Sequence, residues 1–314
     1  MKTVGLVGAR GHTGRELIAL IARRPDMRLT FAVSRAMAGK PVRDLAPEAP
    51  DGLEFEALDA QACAARGADA VILAMPNGEA GAYVAAFEAA APDIVLVDLS
   101  ADYRFDDSWA YGLPEIYGRQ RLKRARRISN PGCYATAGQL CTAPVRPWLS
   151  GPAHLFGVSG YSGAGTTPSR KNDLAALKDN LMPYTLTGHI HEREMSRHLG
   201  HEVRFSPHVA AFFRGIVMTA QLEFKTPVSE ADLRAAYAKA YEGEPLIRLT
   251  DAIPEITDGA NIPGAVLGGL SLTADGRRAV IVCALDNLLK GAAVQAMQNL
   301  ALALDLPEFE GLGV

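Results

Sequence analysis

A chain of 314 residues, 48% apolar and 21% charged, is long enough for two domains, each with its own buried core. Its formal net charge of -3 gives no global attraction to nucleic acid, and no apolar run approaches the ~20 residues that cross a bilayer. Four scattered cysteines, Cys63, Cys133, Cys141 and Cys283, lack disulfide or metal-ligand spacing, so reduced thiols, a cytoplasmic setting and no bound metal are expected.

The amino terminus passes straight into a strand and a glycine turn, with no cleavable targeting pattern. Residues 3–7 are a short apolar run, a buried strand. Residues 14–24 carry Leu17, Leu20 and Ile21 at helical spacing, and Pro25 follows as a stop. Residues 29–33, 70–74 and 94–99 read as further strands, with the alanine-rich stretch 79–90 helical between the last two. This alternation predicts parallel crossover units, that is, a Rossmann-type α/β domain with a doubly wound sheet.

Gly8, Ala9, Arg10, Gly11, His12, Thr13 and Gly14 fill the first strand-to-helix junction. Glycines there allow a tight turn and let the backbone approach a pyrophosphate seated on the helix's positive end. The second strand ends in Ser34-Arg35, with no acid until Asp44. An NAD enzyme usually places a carboxylate there for the ribose 2′-hydroxyl. A hydroxyl and a guanidinium suit a 2′-phosphate instead, so the expected cofactor is NADP. The basic run from Arg119 to Arg127 reads as a solvated turn or helix face and not as a nucleic-acid patch.

Asn130-Pro131-Gly132 is a turn signal, and residues 134–149 read mostly as helix, which sets Cys133 at or just before a helix N-terminus. Partial positive charge there favours the thiolate that a nucleophile needs. The other three cysteines lie among small or apolar residues and read as inert. Five of the seven histidines fall between positions 189 and 208. His189 and His191 stand at i, i+2, which does not face one side of a helix. A proton-transfer partner for Cys133 is the better reading than a metal site, and geometry alone does not choose between the two.

Further on, residues 216–225 alternate with period two, as in a sheet with one covered face. Ser229 and Asp232 read as a capped helix start, followed by the apolar stripe Leu233, Tyr237 and Tyr241. Ala274-Asp275-Gly276 reads as a hairpin turn between residues 266–272 and 279–285. The second domain is therefore expected to be an α+β catalytic and dimerisation domain with a mixed or antiparallel sheet. The expected division is 1–132 for the cofactor domain, with a last helix in about 288–314 packing back on it, and 133–287 for the catalytic domain.

Several segments carry a more specific signal by their joint order. They are the glycine turn 8–14, Asp98-Leu99-Ser100-Ala101-Asp102-Tyr103-Arg104-Phe105, Tyr111-Gly112-Leu113-Pro114-Glu115, Asn130-Pro131-Gly132-Cys133, Ser159-Gly160-Tyr161-Ser162-Gly163-Ala164-Gly165, Pro207-His208, Arg214-Gly215-Ile216, and Asp286-Asn287-Leu288-Leu289-Lys290-Gly291-Ala292-Ala293. Together they resemble the N-acetyl-gamma-glutamyl-phosphate reductases, the arginine-biosynthesis branch of the aspartate-semialdehyde dehydrogenase group. The resemblance implies NADPH-dependent reduction of a small anionic acyl phosphate through a thioester on Cys133.

It further implies His189 as acid/base, with His191 orienting the loop or touching substrate, and Arg104 and Arg214 as its positive charges. Ser162, Gly163 and Asn287 would line the nicotinamide end of the cofactor, and Pro76 and Asn77 stand where many members have Pro-His-Gly. A homodimer or homotetramer is implied, with no nucleic-acid or membrane partner. The rival readings are reduction of aspartyl phosphate or of a carrier-linked aminoadipyl phosphate, a cysteine hydrolase, and a non-catalytic NADP-binding regulator. The glycine turn disfavours the hydrolase, and a reactive Cys133 would disfavour the regulator.

Overall fold

In the computed structural model, which describes all 314 residues, the apolar run after Met1 forms β1 (Lys2–Val7), and its Val4, Leu6 and Val7 are buried. Then come α1 (His12–Ala22), β2 (Met27–Val33), β3 (Phe55–Glu56), α2 (Ala60–Arg66), β4 (Ala70–Leu73), α3 (Ala80–Ala90), β5 (Val95–Asp98), β6 (Ala110–Tyr111), α4 (Pro114–Tyr117) and β7 (Arg127–Ser129). These strands make one all-parallel sheet in the order β3-β2-β1-β4-β5-β7-β6. Its central strands β4 and β5 are buried at every residue and apolar apart from Asp98 at the end of β5, as a parallel sheet covered on both faces requires. The chain leaves β3 and re-enters on the far side of β1 as β4. That reversal makes the carboxyl ends of β1 and β4 the switch point where such sheets receive ligands.

A second unit begins with α5 (Cys133–Thr142) and continues through β8 (Ala153–Gly160), α6 (Leu174–Leu177), β9 (Leu181–Pro183), α7 (Ile190–Leu199), β10 (Val203–Ala210), β11 (Ile216–Glu223), α8 (Glu230–Ala240), β12 (Ile247–Leu249), α9 (Ile256–Gly259), β13 (Ala265–Leu272) and β14 (Arg278–Leu285). Its strands form a mixed sheet, β12-β13-β14-β11-β8-β10-β9, with parallel pairs β8/β10 and β12/β13 and antiparallel pairs elsewhere. The alternation in β11 does what its period predicts: Ile216, Met218, Ala220 and Leu222 are buried while their neighbours are not.

Ser229 caps α8 by accepting the Asp232 amide at 3.1 Å. Asp232 answers through its carboxylate on the Ser229 hydroxyl (2.7 Å), so this cap closes side chain to side chain. Tyr237 and Tyr241 then donate to the carbonyls of Cys141 and Leu140, tying α8 onto α5. The 273–278 hairpin turns at Gly276 with φ +69°.

The last helix, α10 (Val294–Ala303), follows a π-turn over Leu289–Ala293 and belongs to the first unit, which comprises residues 1–131 and 292–313; the second comprises 132–291 and Val314. Every α10 residue is buried, and its amides are satisfied: Gln298 donates to Glu115 and Glu308, and Asn299 to the Gly112 carbonyl and Asn130. The basic run is largely a solvated turn, with Arg121, Lys123, Arg124 and Arg126 exposed; within it Arg119 pairs with Glu308 at 2.7 Å, and Arg121 donates to the carbonyls of Asp107 and Trp109. No helix is long and apolar enough to cross a membrane.

Candidate active site

In the first unit the glycine turn joins β1 to α1. Gly8 has φ +83°, and a Cβ there would lie 2.2 Å from the Ala74 carbonyl oxygen; a Cβ on Gly14 would lie 2.3 Å from that of Ala9. Those two glycines are demanded by the fold. Gly11, the N-cap of α1, is different, because its nearest neighbour would be 3.8 Å from a Cβ. The helix has no acid in its first turn, and its N-cap glycine supplies no side-chain acceptor for the leading amides. His12 and Thr13 supply two of those amides, and burial holds the His12 ring below the ordinary histidine pKa. Arg10 is exposed and forms no ion pair.

Beside this turn, at the end of β2, the Ser34 hydroxyl is buried without a hydrogen-bond partner, and Arg35 is exposed and unpaired. The nearest acid across the sheet, Glu56, is held by Arg66 at 2.8 Å. An orphan hydroxyl, a free guanidinium and a glycine cradle fit a dinucleotide carrying a 2′-phosphate. In the loop after β4, Pro76 and Asn77 are exposed, and the Asn77 carbonyl oxygen accepts the Ala101 amide at 2.9 Å. Asp102 accepts the amides of Gly78 and Ala80, so the loop is fixed by its own neighbours. Arg104 is also an internal tie: its buried guanidinium donates to the carbonyls of Asn130 (2.9 Å) and Leu99 (2.8 Å).

In the second unit Cys133 is the first residue of α5, partly accessible where Cys63, Cys141 and Cys283 are buried. Burial pushes the Cys63 thiol up to about 12, which keeps it unreactive. The N-cap of α5, Gly132, has no side-chain cap; its amide is instead taken at 2.9 Å by the fully buried carboxylate of Glu194. Gly291 closes over the other side, where a Cβ would come within 2.7 Å of the Cys133 Cβ.

His189 is buried and serves as the N-cap of α7, its Nδ1 accepting the His191 amide at 3.1 Å. With Nδ1 so occupied, the neutral ring carries its proton on Nε2. Burial first, then the nearby Lys171 charge, lower its pKa to about 4, against a smaller opposing effect of Glu192. The two imidazoles do not lie on one face of a strand: His191 is inside the helix, its ring centroid 4.9 Å from that of His189. Tyr134 packs edge-on to both, at 6.5 and 6.0 Å, and its hydroxyl donates to the His208 carbonyl at 2.5 Å. Tyr184 adds a further edge contact to His189 at 5.6 Å. Burial raises the pKa of both phenols, and the adjacent Cys133 charge adds to it.

Asn287 is the hub of a third cluster. It donates to the Ser162 hydroxyl at 2.9 Å and accepts the Gly215 amide at 2.7 Å, with Gly163 alongside. Arg214 is paired with buried Asp286, Nε to Oδ2 at 2.5 Å and Nη2 to Oδ1 at 3.1 Å. Sequence reasoning did not single out Tyr134, Lys171, Glu194 or Gly291. Gly291 stands inside the quoted 286–293 segment, which was the available signal.

Residues 3–125 match the semialdehyde dehydrogenase NAD-binding domain family, and residues 133–287 the semialdehyde dehydrogenase dimerisation domain family. The chain is 54% identical over 311 residues to the N-acetyl-gamma-glutamyl-phosphate reductase of Xanthomonas campestris pv. campestris, covering 99% of this chain and 98% of that one. It is 55% identical over 310 residues to the enzyme of the same name from Stenotrophomonas maltophilia, with the same coverage. Among solved structures, aspartate semialdehyde dehydrogenase II from Vibrio cholerae superposes with a TM-score of 0.77 at 16% identity, covering 97% of this chain and 98% of that one, which shows a shared fold. The chain belongs to the N-acetyl-gamma-glutamyl-phosphate reductase family of oxidoreductases, within the aspartate-semialdehyde dehydrogenase group.

Proposed function

We propose that this protein reduces N-acetyl-gamma-glutamyl phosphate to N-acetylglutamate 5-semialdehyde and phosphate in arginine biosynthesis, in the cytoplasm, using NADPH. The observation that carries this reading is the seat of Cys133, a partly accessible thiol at an uncapped helix N-terminus. First-turn amides and the helix dipole favour the thiolate there, and the same amides are placed to donate to an oxyanion on the carbon the sulfur attacks.

The Cys133 sulfur forms a bond to the acyl carbon, the carbon–oxygen bond to phosphate breaks, and the leaving phosphate takes up a proton from water. NADPH, when bound, supplies the hydride that brings the thioester to the aldehyde level. His189, neutral above about pH 4, would donate a hydrogen bond from Nε2 to the substrate oxygen as negative charge develops there, while Nδ1 stays tied to the helix start. Collapse breaks the carbon–sulfur bond, frees the aldehyde and restores the thiolate.

Residues 1–132 with the last helix are assigned to the cofactor and 133–287 to the substrate. Gly8, Gly11, His12, Thr13 and Gly14 would hold the pyrophosphate, with Arg10 near it. Ser34 and Arg35 would hold the 2′-phosphate. Pro76, Asn77, Ser162, Gly163 and Asn287 would line the rest of the cofactor. Arg104, Arg214 and His191 are assigned to the substrate side, the two arginines through the backbone and Asp286 positions that they fix. A homodimer or homotetramer goes with this reading, and a sheet face bearing Phe156, 42% exposed, beside His208 suits a second copy.

The test is phosphate-dependent reduction of NADP with N-acetylglutamate semialdehyde, run beside aspartate semialdehyde. Turnover of the first and not the second is expected, and the reverse preference would overturn the assignment.

A further inference from the structure

An acyl phosphate of an N-blocked amino acid brings two anionic groups, its phosphate and its α-carboxylate. In the second unit the arginine assigned to meet such charge, Arg214, is already neutralised by buried Asp286. Lys171 is not. Its ammonium forms no ion pair and no hydrogen bond within the chain and stands 4.7 Å over the Tyr184 ring, which also meets the His189 ring edge-on at 5.6 Å.

The segment carrying it is exposed but built. Asn172 donates to the carbonyls of Gly165 and Thr167, and its carbonyl oxygen accepts the Ser169 amide and hydroxyl in a reciprocal cap. Lys171 and Asn172 are half-buried, while residues 166–170 before them are exposed. The acid on the histidine helix that acts on the same ring, Glu192, has its oxygens hydrogen-bonded to the amides of Gly188 and Phe205 and forms no ion pair with Lys171. A pre-positioned cation resting on an aromatic face beside the acid/base histidine, with no counter-charge in the protein, is arranged to receive one from outside.

We propose that Lys171 holds an oxyanion of the substrate, deepening the functional assignment on which it rests. Tyr184 acts as the platform that fixes the ammonium. The groups facing His189 are Lys171, Tyr184, Tyr134, His191 and Glu192, with apolar Phe205. Of these, Lys171 is the cation that lowers its pKa, so an anion bound there would also relieve that effect.

The experiment uses the full chain with Lys171→Met and Lys171→Arg, assayed in the aldehyde-oxidising direction, where semialdehyde and phosphate are separate substrates. Lys171→Met is expected to raise one Michaelis constant by roughly 10- to 100-fold, the range of a charge-assisted contact. Lys171→Arg should recover most of it, and neither should change NADP affinity or the melting temperature. A rise confined to the semialdehyde assigns Lys171 to the α-carboxylate; a rise confined to phosphate assigns it to the phosphoryl group. The acid limb of kcat/KM should also move to higher pH in Lys171→Met. Both Michaelis constants within twofold of wild type would overturn the proposal while leaving the enzyme's activity intact. A wild-type protein inert toward this substrate pair would remove the functional assignment and the role of Lys171 with it.

Discussion

Helices α1 and α5 begin alike. Each follows a glycine in extended conformation, Gly11 with φ -69° and ψ 166° and Gly132 with φ -70° and ψ 150°, and neither has a side-chain cap or an acid in its first turn. What surrounds the two ends differs. At α1 the space over Gly11 is open, and the glycines on either side are packed so tightly that they shape the turn and nothing more. At α5 the end is closed: Glu194 holds the N-cap amide, Gly291 presses on Cys133, and the cysteine itself is the group that meets the helix's positive end. On the proposed assignment, the same partial charge serves an anion arriving from solution in one unit and an anion carried by the chain in the other. Their neighbours, and not their own dipoles, decide the use.

The strongest test of that contrast is Cys133→Ser. A serine hydroxyl stays protonated at this helix start, so kcat should fall roughly 10³-fold or more while NADPH binding, measured by fluorescence titration, stays within twofold. Loss of both together would mean that the two helix ends are not independent.

His189→Asn comes next. The asparagine oxygen can occupy the place of Nδ1 and keep the cap of α7, yet nothing replaces the Nε2 proton. A fold of normal stability near neutral pH with kcat lowered at least ~10²-fold is expected, and the acid limb of the pH–rate profile should disappear. The same variant reports on stability. Because the folded pKa lies below the ordinary value of roughly 6.5, the unfolded chain binds the extra proton first. Wild-type stability should therefore be full above that value and fall as the pH drops towards about 4. Urea titrations of His189→Asn should lack that part of the decline.

At the other helix, Arg35→Ala should weaken NADPH by roughly 10- to 100-fold and leave NADH nearly untouched, since only a 2′-phosphate would use the guanidinium. Equal losses for both dinucleotides would place Arg35 elsewhere on the cofactor. The smallest effects come from the glycines themselves. Gly14→Ala must displace the Ala9 carbonyl and should cost about 1–3 kcal/mol of stability. Gly11→Ala, facing open space, should leave the melting temperature alone and weaken only the dinucleotide.

The first unit was the more legible in sequence because its determinants are local. The β1 run, the glycine turn and the Ser34-Arg35 pair fall within 35 residues and act through backbone geometry, so spacing alone reveals them. Cys133 was readable for the same reason, being announced by the Asn-Pro-Gly turn before it. The partners of Cys133 were not. Glu194 reaches Gly132 across 62 positions, Gly291 lies 158 positions from the cysteine it touches, and Lys171 meets Tyr184 only through a loop that has no periodicity. Periodic patterns predict which face of an element is buried and say nothing of which distant side chain meets it. For Arg104 and Arg214 residue type suggested free positive charge, whereas the fold uses them as ties, one to backbone carbonyls and one to a buried carboxylate.

The hydrogen bond from the Gly132 amide to Glu194 has a consequence for how chains of this kind can change length. Since His189 caps the helix that carries Glu194, the nucleophile and the histidine are registered through five residues of α7 and not through the 56 that separate them in sequence. An insertion between His189 and Glu194 would turn the carboxylate by about 100° and detach it from the nucleophile's turn. Insertions in the loop between β8 and α6, which carries Lys171, leave that registration untouched. If Lys171 holds substrate as proposed, that loop can lengthen, shorten and re-aim its cation, so the substrate it admits can drift while the link between Gly132 and His189 stays in register.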